Sequence, residues 1–225
     1  MIRFDNVTKR YQTGLDALAE LSFEIGAGEV AFVTGHSGAG KSTLLKLVSL
    51  AERPTRGQIS VNGRDLARVR SGTIPQHRRG IGMVFQDHRL LTDRSVFDNV
   101  ALPLLIAGTA RAEIGKRVRA ALDKVGLLAR EKAAPVALST GEQQRVGIAR
   151  ALVAKPPLIL ADEPTGNLDP ALSLEIMNMF AEFGAVGTKV LIASHDLMLI
   201  KHLRRRVLVL DHGRLVDDYR PEAAA

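Results

Sequence analysis

The stretch EVAFVTGHSGAGKSTLLKLVSL, Glu29 to Leu50, limits what this chain can fold into more sharply than any other. It opens with a short β-type run, VAFVT, and closes with KSTLLKLVSL, which sets Leu44, Leu47 and Val48 on one face of a helix. Between them GHSGAGKS fits G-x-x-x-x-G-K-[S/T], with Gly35, Gly40, Lys41 and Ser42 at the fixed positions. Strand, glycine-rich turn and helix in that order are the setting such a turn needs to cradle phosphate. Glycines let the backbone N–H groups of Gly35, His36, Ser37, Gly38, Ala39, Gly40, Lys41, Ser42 and Thr43 wrap phosphate oxygens with no Cβ in the way. The helix behind the turn aims its positive end at the same point. Lys41 is expected to reach the β and γ phosphates, and the Ser42 hydroxyl to ligate Mg²⁺. An ordinary glycine turn is a weak alternative, because at average residue frequencies the pattern arises in about one chain in a hundred of this length.

LILADE supplies a second half to the site. Leu158 to Ala161 read as a strand buried on both faces and ending in Asp162, at the carboxyl edge of a parallel sheet where open α/β folds bind ligands. An acid there holds Mg²⁺ through water, and the adjacent Glu163 becomes the candidate to orient and deprotonate an attacking water. Alone, an Asp-Glu pair at a strand end is more often a solvated turn; the phosphate cradle reverses those odds.

The rest of the chain fits around these two pieces. MIRFDNV, LAELSFEI and GQISVNG are β-type runs, the last closing on an Asn-Gly turn signal. LAELSFEI and EVAFVTG, joined by GAGE, read as a hairpin. From about Asp87 to Ala154 the β signal fades. Ile114, Val118, Leu122 and Val125 fall at helical spacing, and EQQRVGIARALVA reads as a further helix stopping at KPP. β-type runs return as LILADE, KVLIASHD and RVLVLDHGRLV. The expected fold is α/β, one domain of 225 residues, with a core from 1–86 and 155–225 and a helical subdomain over about 87–154.

Composition closes several routes. With no cysteine, disulfides, thiolate chemistry and zinc sites built on sulfur are excluded. The N-terminus MIRFDNVTKRY has no apolar core of a secretory signal. VALPLLIAGTA is broken by Pro103 and reaches only about half the ~20 residues of a membrane-spanning helix. A soluble protein is expected, meeting a membrane through a partner or its surface. The net charge of +7 includes the clusters RDLARVR, QHRRG and KHLRRR. Each alone is most simply a solvated face. Together they leave two sharper options, nucleic-acid phosphates or an anionic membrane surface.

Further motifs fall in a fixed order: VTKRY with Tyr11, VFQD with Gln86, LSTGEQQR from Leu138 to Arg145, GNLD from Gly166 to Asp169, and IASHD with His195. With the cradle and LILADE, this set resembles the ATP-binding cassette (ABC) ATPases over nearly the whole chain. The resemblance implies a P-loop cassette: a RecA-like, mainly parallel core with an antiparallel β subdomain and an inserted helical subdomain. It implies ATP and Mg²⁺ as cofactors, Tyr11 stacked on adenine, and Gln86 sharing the metal with Ser42 and Asp162. It also implies a homodimer, in which Ser139, Gly141 and Glu142 of the LSTGE signature act on the nucleotide held by the other copy, and it implies Asp169, in the D-loop GNLD, as a further nucleotide-binding residue. Lys41, Glu163 and His195 then carry catalysis. Taken singly, Tyr11 is a core-edge aromatic, Gln86 a surface amide and His195 a strand-end histidine, while Ser139 or Thr140 is a helix N-cap with Glu142 or Gln143 behind it. The family signature is usually Leu-Ser-Gly-Gly-Gln. Here Thr140 replaces the first glycine and Glu142 the glutamine, and the bulk of Thr140 is expected to preserve binding but slow closure of the dimer.

VFQDHRLLTDRSVFDNVALPL carries no catalytic spacing of its own. Leu90, Leu91, Val96 and Leu102 serve equally to pack the helical subdomain. The resemblance implies a groove, near Gln86–Leu104, for a short helix of a membrane subunit. ADEPTGNLD resembles the members serving lipoprotein release, macrolide-type efflux and bacterial cell division, and the run from Gln86 is most similar to the cell-division members. That implies an FtsX-like integral membrane partner, a peripheral position on the cytoplasmic face of the bacterial inner membrane at the division site, and control of cell-wall hydrolases outside. Three other readings stand beside it: the ATPase of a lipoprotein-releasing or efflux transporter, a nucleic-acid ABC protein, and a scaffold that binds ATP without splitting it. A single cassette without coiled-coil insertions disfavours the second of these, and the presence of Glu163 and His195 disfavours the third.

Overall fold

Burial sorts the strands into two sheets. The computed structural model describes residues 1–12, 14–166 and 168–221. One sheet takes β1 (Ile2–Arg10), β2 (Asp16–Ile25), β4 (Arg56–Val61) and β5 (Arg64–Asp65) in the order β2-β1-β4-β5, all antiparallel. The other takes β3 (Val30–Thr34), β6 (Ile81–Val84), β7 (Leu158–Asp162), β8 (Lys189–Ala193), β9 (Arg206–Asp211) and β10 (Arg214–Tyr219) in the order β10-β9-β3-β8-β7-β6. All its pairings are parallel except that of β10 with β9. Along β1 and β2 buried and exposed side chains tend to alternate, as in a sheet with one wet face, whereas every residue of β3 and β8 is buried. Within the central strands successive side chains enter different cores: Phe32, Ile159 and Ile192 one, Val33, Leu160 and Leu191 the other.

This corrects the reading of GAGE as a hairpin, since β2 and β3 lie in different sheets and the turn carries the chain between them. An all-apolar strand buries more surface between β8 and β9 than it would beside the half-wet β2. Glu29 fixes the crossing: its carboxylate accepts from Gly26 N at 2.6 Å, Arg220 Nη2 at 2.9 Å and Arg206 Nη1 at 3.2 Å. The Asn-Gly signal does make a hairpin. Asn62 (φ 52°) and Gly63 (φ 76°) join β4 to β5, and His212 (φ 44°) and Gly213 (φ 77°) join β9 to β10 in the same left-handed way.

The helix α1 (Lys41–Val48) packs Leu44, Leu45, Leu47 and Val48 into the core facing the antiparallel sheet. After the short α2 (Ile74–Arg79) and β6 come α3 (Val96–Ile106), α4 (Arg111–Lys124) and α5 (Thr140–Leu152), all before β7. Val100, Leu104, Val118, Leu122 and Val146 join these helices to the core on the other face, which α6 (Pro170–Ala185) and α7 (Leu197–Leu203) complete. Pro103 lies inside α3, where it removes one helical donor. The fully buried Asn99 anchors the preceding loop, bonding Leu91 N at 2.7 Å, Leu91 O at 3.0 Å and Ser95 O at 2.9 Å.

Candidate functional site

Because β3, β6, β7 and β8 run parallel, their carboxyl ends share one edge of the sheet. There the phosphate loop, Gln86, Asp162, Glu163 and His195 line a single cleft of about 520 Å³, together with Ala17, which the sequence did not single out. The loop between β3 and α1 depends on glycine for space as well as conformation. A Cβ on Gly35 (φ 145°) would come within 2.1 Å of Leu210 O, and one on Gly40 (φ 107°) within 2.6 Å of Ala17 O. Lys41 Nζ donates to Gly35 O at 2.7 Å and His36 O at 3.1 Å, which holds the ammonium at the loop and leaves a third proton. Gly40 gives α1 no side-chain cap, so the N–H groups of its first turn are left for an anion.

Ser42 Oγ donates to Asp162 Oδ1 at 3.1 Å. Burial pushes the Asp162 carboxyl above the usual carboxylate range; the Ser42 hydroxyl opposes that shift and the charge of Glu163 adds to it. A hydroxyl and a carboxylate in contact, with the Gln86 amide on the same cleft, are hard oxygen donors of the kind Mg²⁺ takes. Asp162 pairs in register with Ala193, and Glu163 N donates to Ala193 O at 2.9 Å, so β7 and β8 deliver Glu163 and His195 side by side. Glu163 has the left-handed φ of 46°. Its carboxylate is 12% exposed and lies 2.9 Å from Nδ1 of His195, a ring 72% exposed. The imidazole steadies the carboxylate and keeps its second nitrogen for a ligand.

The remaining expected residues lie elsewhere. Ser139 caps α5 in a reciprocal box: its Oγ accepts from Glu142 N at 3.3 Å while Glu142 Oε2 accepts from Ser139 N at 2.9 Å. That N–H holds the Glu142 carboxyl below its ordinary range. Asp169 caps α6 through Leu172 N at 3.0 Å, Ala39 is buried, and Tyr11 sits under Lys9 Nζ, 5.0 Å from the ring centroid. None of Tyr11, Ala39, Ser139, Gly141, Glu142 and Asp169 lines the cleft. Asn167 of the GNLD motif and residues 222–225 of the tail lie outside the described residues.

Two residues that the sequence did not single out tie α5 to the cleft. Gln144 is buried and donates Nε2 to Pro164 O, directly after Glu163, at 2.9 Å. Arg150 donates Nη2 to His88 O at 2.6 Å and Nη1 to Arg89 O at 2.7 Å, just beyond Gln86. The available signal was a glutamine on the buried face of an otherwise apolar helix stripe with Ile148.

The family model described as ABC transporter matches residues 18–166. The chain is 57% identical over 215 residues to the cell division ATP-binding protein FtsE of Escherichia coli (strain K12), covering 96% of this chain and 97% of that protein. To the FtsE of Bacillus subtilis (strain 168) it is 44% identical over 218 residues, 97% of this chain and 96% of that one. Among solved structures, the dimeric post-hydrolysis state of the ATP-binding cassette MJ0796 bound to ADP and Pi matches with a TM-score of 0.93 at 31% identity, covering 100% of both chains.

Proposed function

Because the chain belongs to the ABC transporter family and is an ABC ATPase, we propose that it is the ATP-hydrolysing subunit of a cell-division complex that drives an FtsX-like integral membrane protein to regulate cell-wall hydrolysis at the septum. The observation that carries this reading is the identity to FtsE, sustained over 96% of the chain, a span too long to leave out the segment from Gln86 to Leu104.

In this reading the loop N–H groups and Lys41 hold the β and γ phosphates, and Tyr11 stacks on adenine. Ser42, Asp162 and Gln86 would hold Mg²⁺, which supplies positive charge against the phosphates. Glu163, steadied by His195, orients a water for in-line attack on the γ-phosphorus and takes its proton; ADP and phosphate leave. The low exposure of Glu163 strengthens these electrostatic contacts. Ser139, Gly141, Glu142 and Asp169 act from a second copy of the chain, which fits their position away from the cleft of their own chain. A homodimer is therefore the active unit, with residues 87–154 as the helical subdomain that presents the signature.

No helix among the described residues is long and apolar enough to cross a membrane, so attachment to the cytoplasmic face of the inner membrane falls to the partner. Of the segment read as its docking site, Val96 and Leu104 are buried, while Leu91 is 41% exposed in the loop that Asn99 anchors. Leu105 and Ile106, at the end of α3, are also exposed. The test is capture of the Glu163→Gln chain, locked with ATP, from native membranes. Recovery of an FtsX-like protein supports the proposal; recovery of a lipoprotein-releasing or efflux permease replaces its cell-division half and leaves the ATPase intact.

A further inference from the structure

His36, Asp211 and His212 meet where the phosphate loop rests against the β9–β10 turn. Gly213 N donates to Ala39 O at 3.1 Å, and Gly35 packs against Leu210 O, so loop and turn touch without help from these side chains. Their polar atoms nevertheless converge. His36 Nε2 lies 3.2 Å from Asp211 Oδ1, His212 Nε2 lies 3.8 Å from the same oxygen, and the two rings are 4.8 Å apart between centroids. One ligand atom from each residue fits within 4.8 Å of the other two.

One feature of the cluster asks for a cation. His36 Nδ1 lies 2.6 Å from Ser37 O, and a carbonyl only accepts, so Nδ1 carries the proton. In the neutral ring Nε2 is then a bare lone pair facing a carboxylate oxygen, an arrangement that repels unless a second proton or a metal ion lies between them. An Nδ1–H directed at a backbone carbonyl is also how proteins fix histidine for ligation through Nε2. His212 takes a left-handed position that histidine, like Asn62 in the matching turn, adopts readily, so its imidazole stands beside Asp211 at no cost to the hairpin.

We propose that His36, Asp211 and His212 form a site for a borderline divalent transition metal, zinc, that ties the phosphate loop to the β9–β10 turn. Two imidazoles and a carboxylate suit zinc, whereas magnesium and calcium prefer all-oxygen sets. Ligand atoms about 2.0–2.2 Å from a tetrahedral zinc stand about 3.3 Å from one another. The His36–Asp211 pair already has that spacing, and the exposed His212 side chain is free to close on it. Three protein ligands leave a fourth position open, and the chain has no cysteine to compete. The site is distinct from Ser42 and Asp162, whose oxygens serve magnesium.

The experiment is competition between tag-free, nucleotide-free protein and a chromophoric zinc chelator, with Zn²⁺ alone as the probe. One equivalent per chain is expected. His212→Asn, which suits the turn but removes the imidazole, and Asp211→Asn should each weaken binding at least about tenfold. His195→Ala should leave it unchanged. Zinc-free ATP hydrolysis by His212→Asn should match the parent, which shows that the fold is intact. Unaltered zinc affinity in both turn variants, or loss of the equivalent in His195→Ala, overturns the proposal.

Discussion

On the proposed mechanism, Asp162 would link stability to catalysis through a single half-buried carboxyl. Its folded-state pKa lies above the unfolded value, so the ionised form works against folding at neutral pH, and that penalty vanishes as pH falls through the folded pKa. Asp162→Asn is therefore expected to raise Tm at pH 8. The gain should shrink toward pH 4, while Mg²⁺-dependent hydrolysis is lost. Calorimetry across pH without nucleotide measures the first effect and a phosphate-release assay the second. Thr140 offers a different residue-scale test. It stands exposed at the first turn of α5, so Thr140→Gly should leave nucleotide affinity unchanged and speed ATP-driven dimerisation in a Glu163→Gln background, followed by stopped-flow light scattering. An unchanged rate would show that its bulk does not slow closure. The cleft residues were legible because each motif is local: Gly35 to Ser42 is one turn, and Asp162 and Glu163 end one strand. Gln144 and Arg150 were not, because they bind backbone carbonyls 20, 61 and 62 residues away. A carbonyl partner leaves no mark on the sequence.

At the scale of elements, α5 is the part that holds the backbone just beyond two cleft residues, Gln86 and Glu163. Its start presents the capped signature, Gln144 holds the residue after Glu163, and Arg150 forks onto the two carbonyls beyond Gln86. His88 and Arg89 both have left-handed φ, 57° and 47°, so the fork secures a backbone shape that relaxes without it. Arg150→Lys keeps the charge and loses the fork. It is expected to cost about 1.5–3 kcal/mol, the worth of one charged hydrogen bond, and to reduce partner-stimulated hydrolysis more than basal hydrolysis. Thermal melts and ATPase assays with and without the reconstituted membrane partner read the two effects. Elements with strong local period, such as α1, α4, α5 and the apolar β7 and β8, were legible from sequence. The fate of GAGE was not, because which sheet β3 joins is decided by β8 and β9, strands more than 150 residues downstream in the chain order. Similarly, β6 is a four-residue edge strand containing Gly82, and α3 carries a proline, so neither shows its type in its own residues.

For the whole molecule, one chain holds two half-sites that do not meet: a cradle with Lys41, Asp162, Glu163 and His195, and a signature on α5 away from it. On the reading proposed above, a homodimer with each nucleotide between one cradle and the partner's signature would complete both. The most direct measurement is complementation between two disabled chains. Lys41→Ala spoils the cradle and keeps the signature; Ser139→Arg spoils the signature and keeps the cradle. Each alone should fail to hydrolyse ATP. Mixed in equal amounts, they should regain turnover up to about a quarter of the parent rate, since half the dimers are mixed and each contains one complete site. A mixture no more active than its components, or full turnover by Ser139→Arg alone, would contradict hydrolysis at a site shared between two chains.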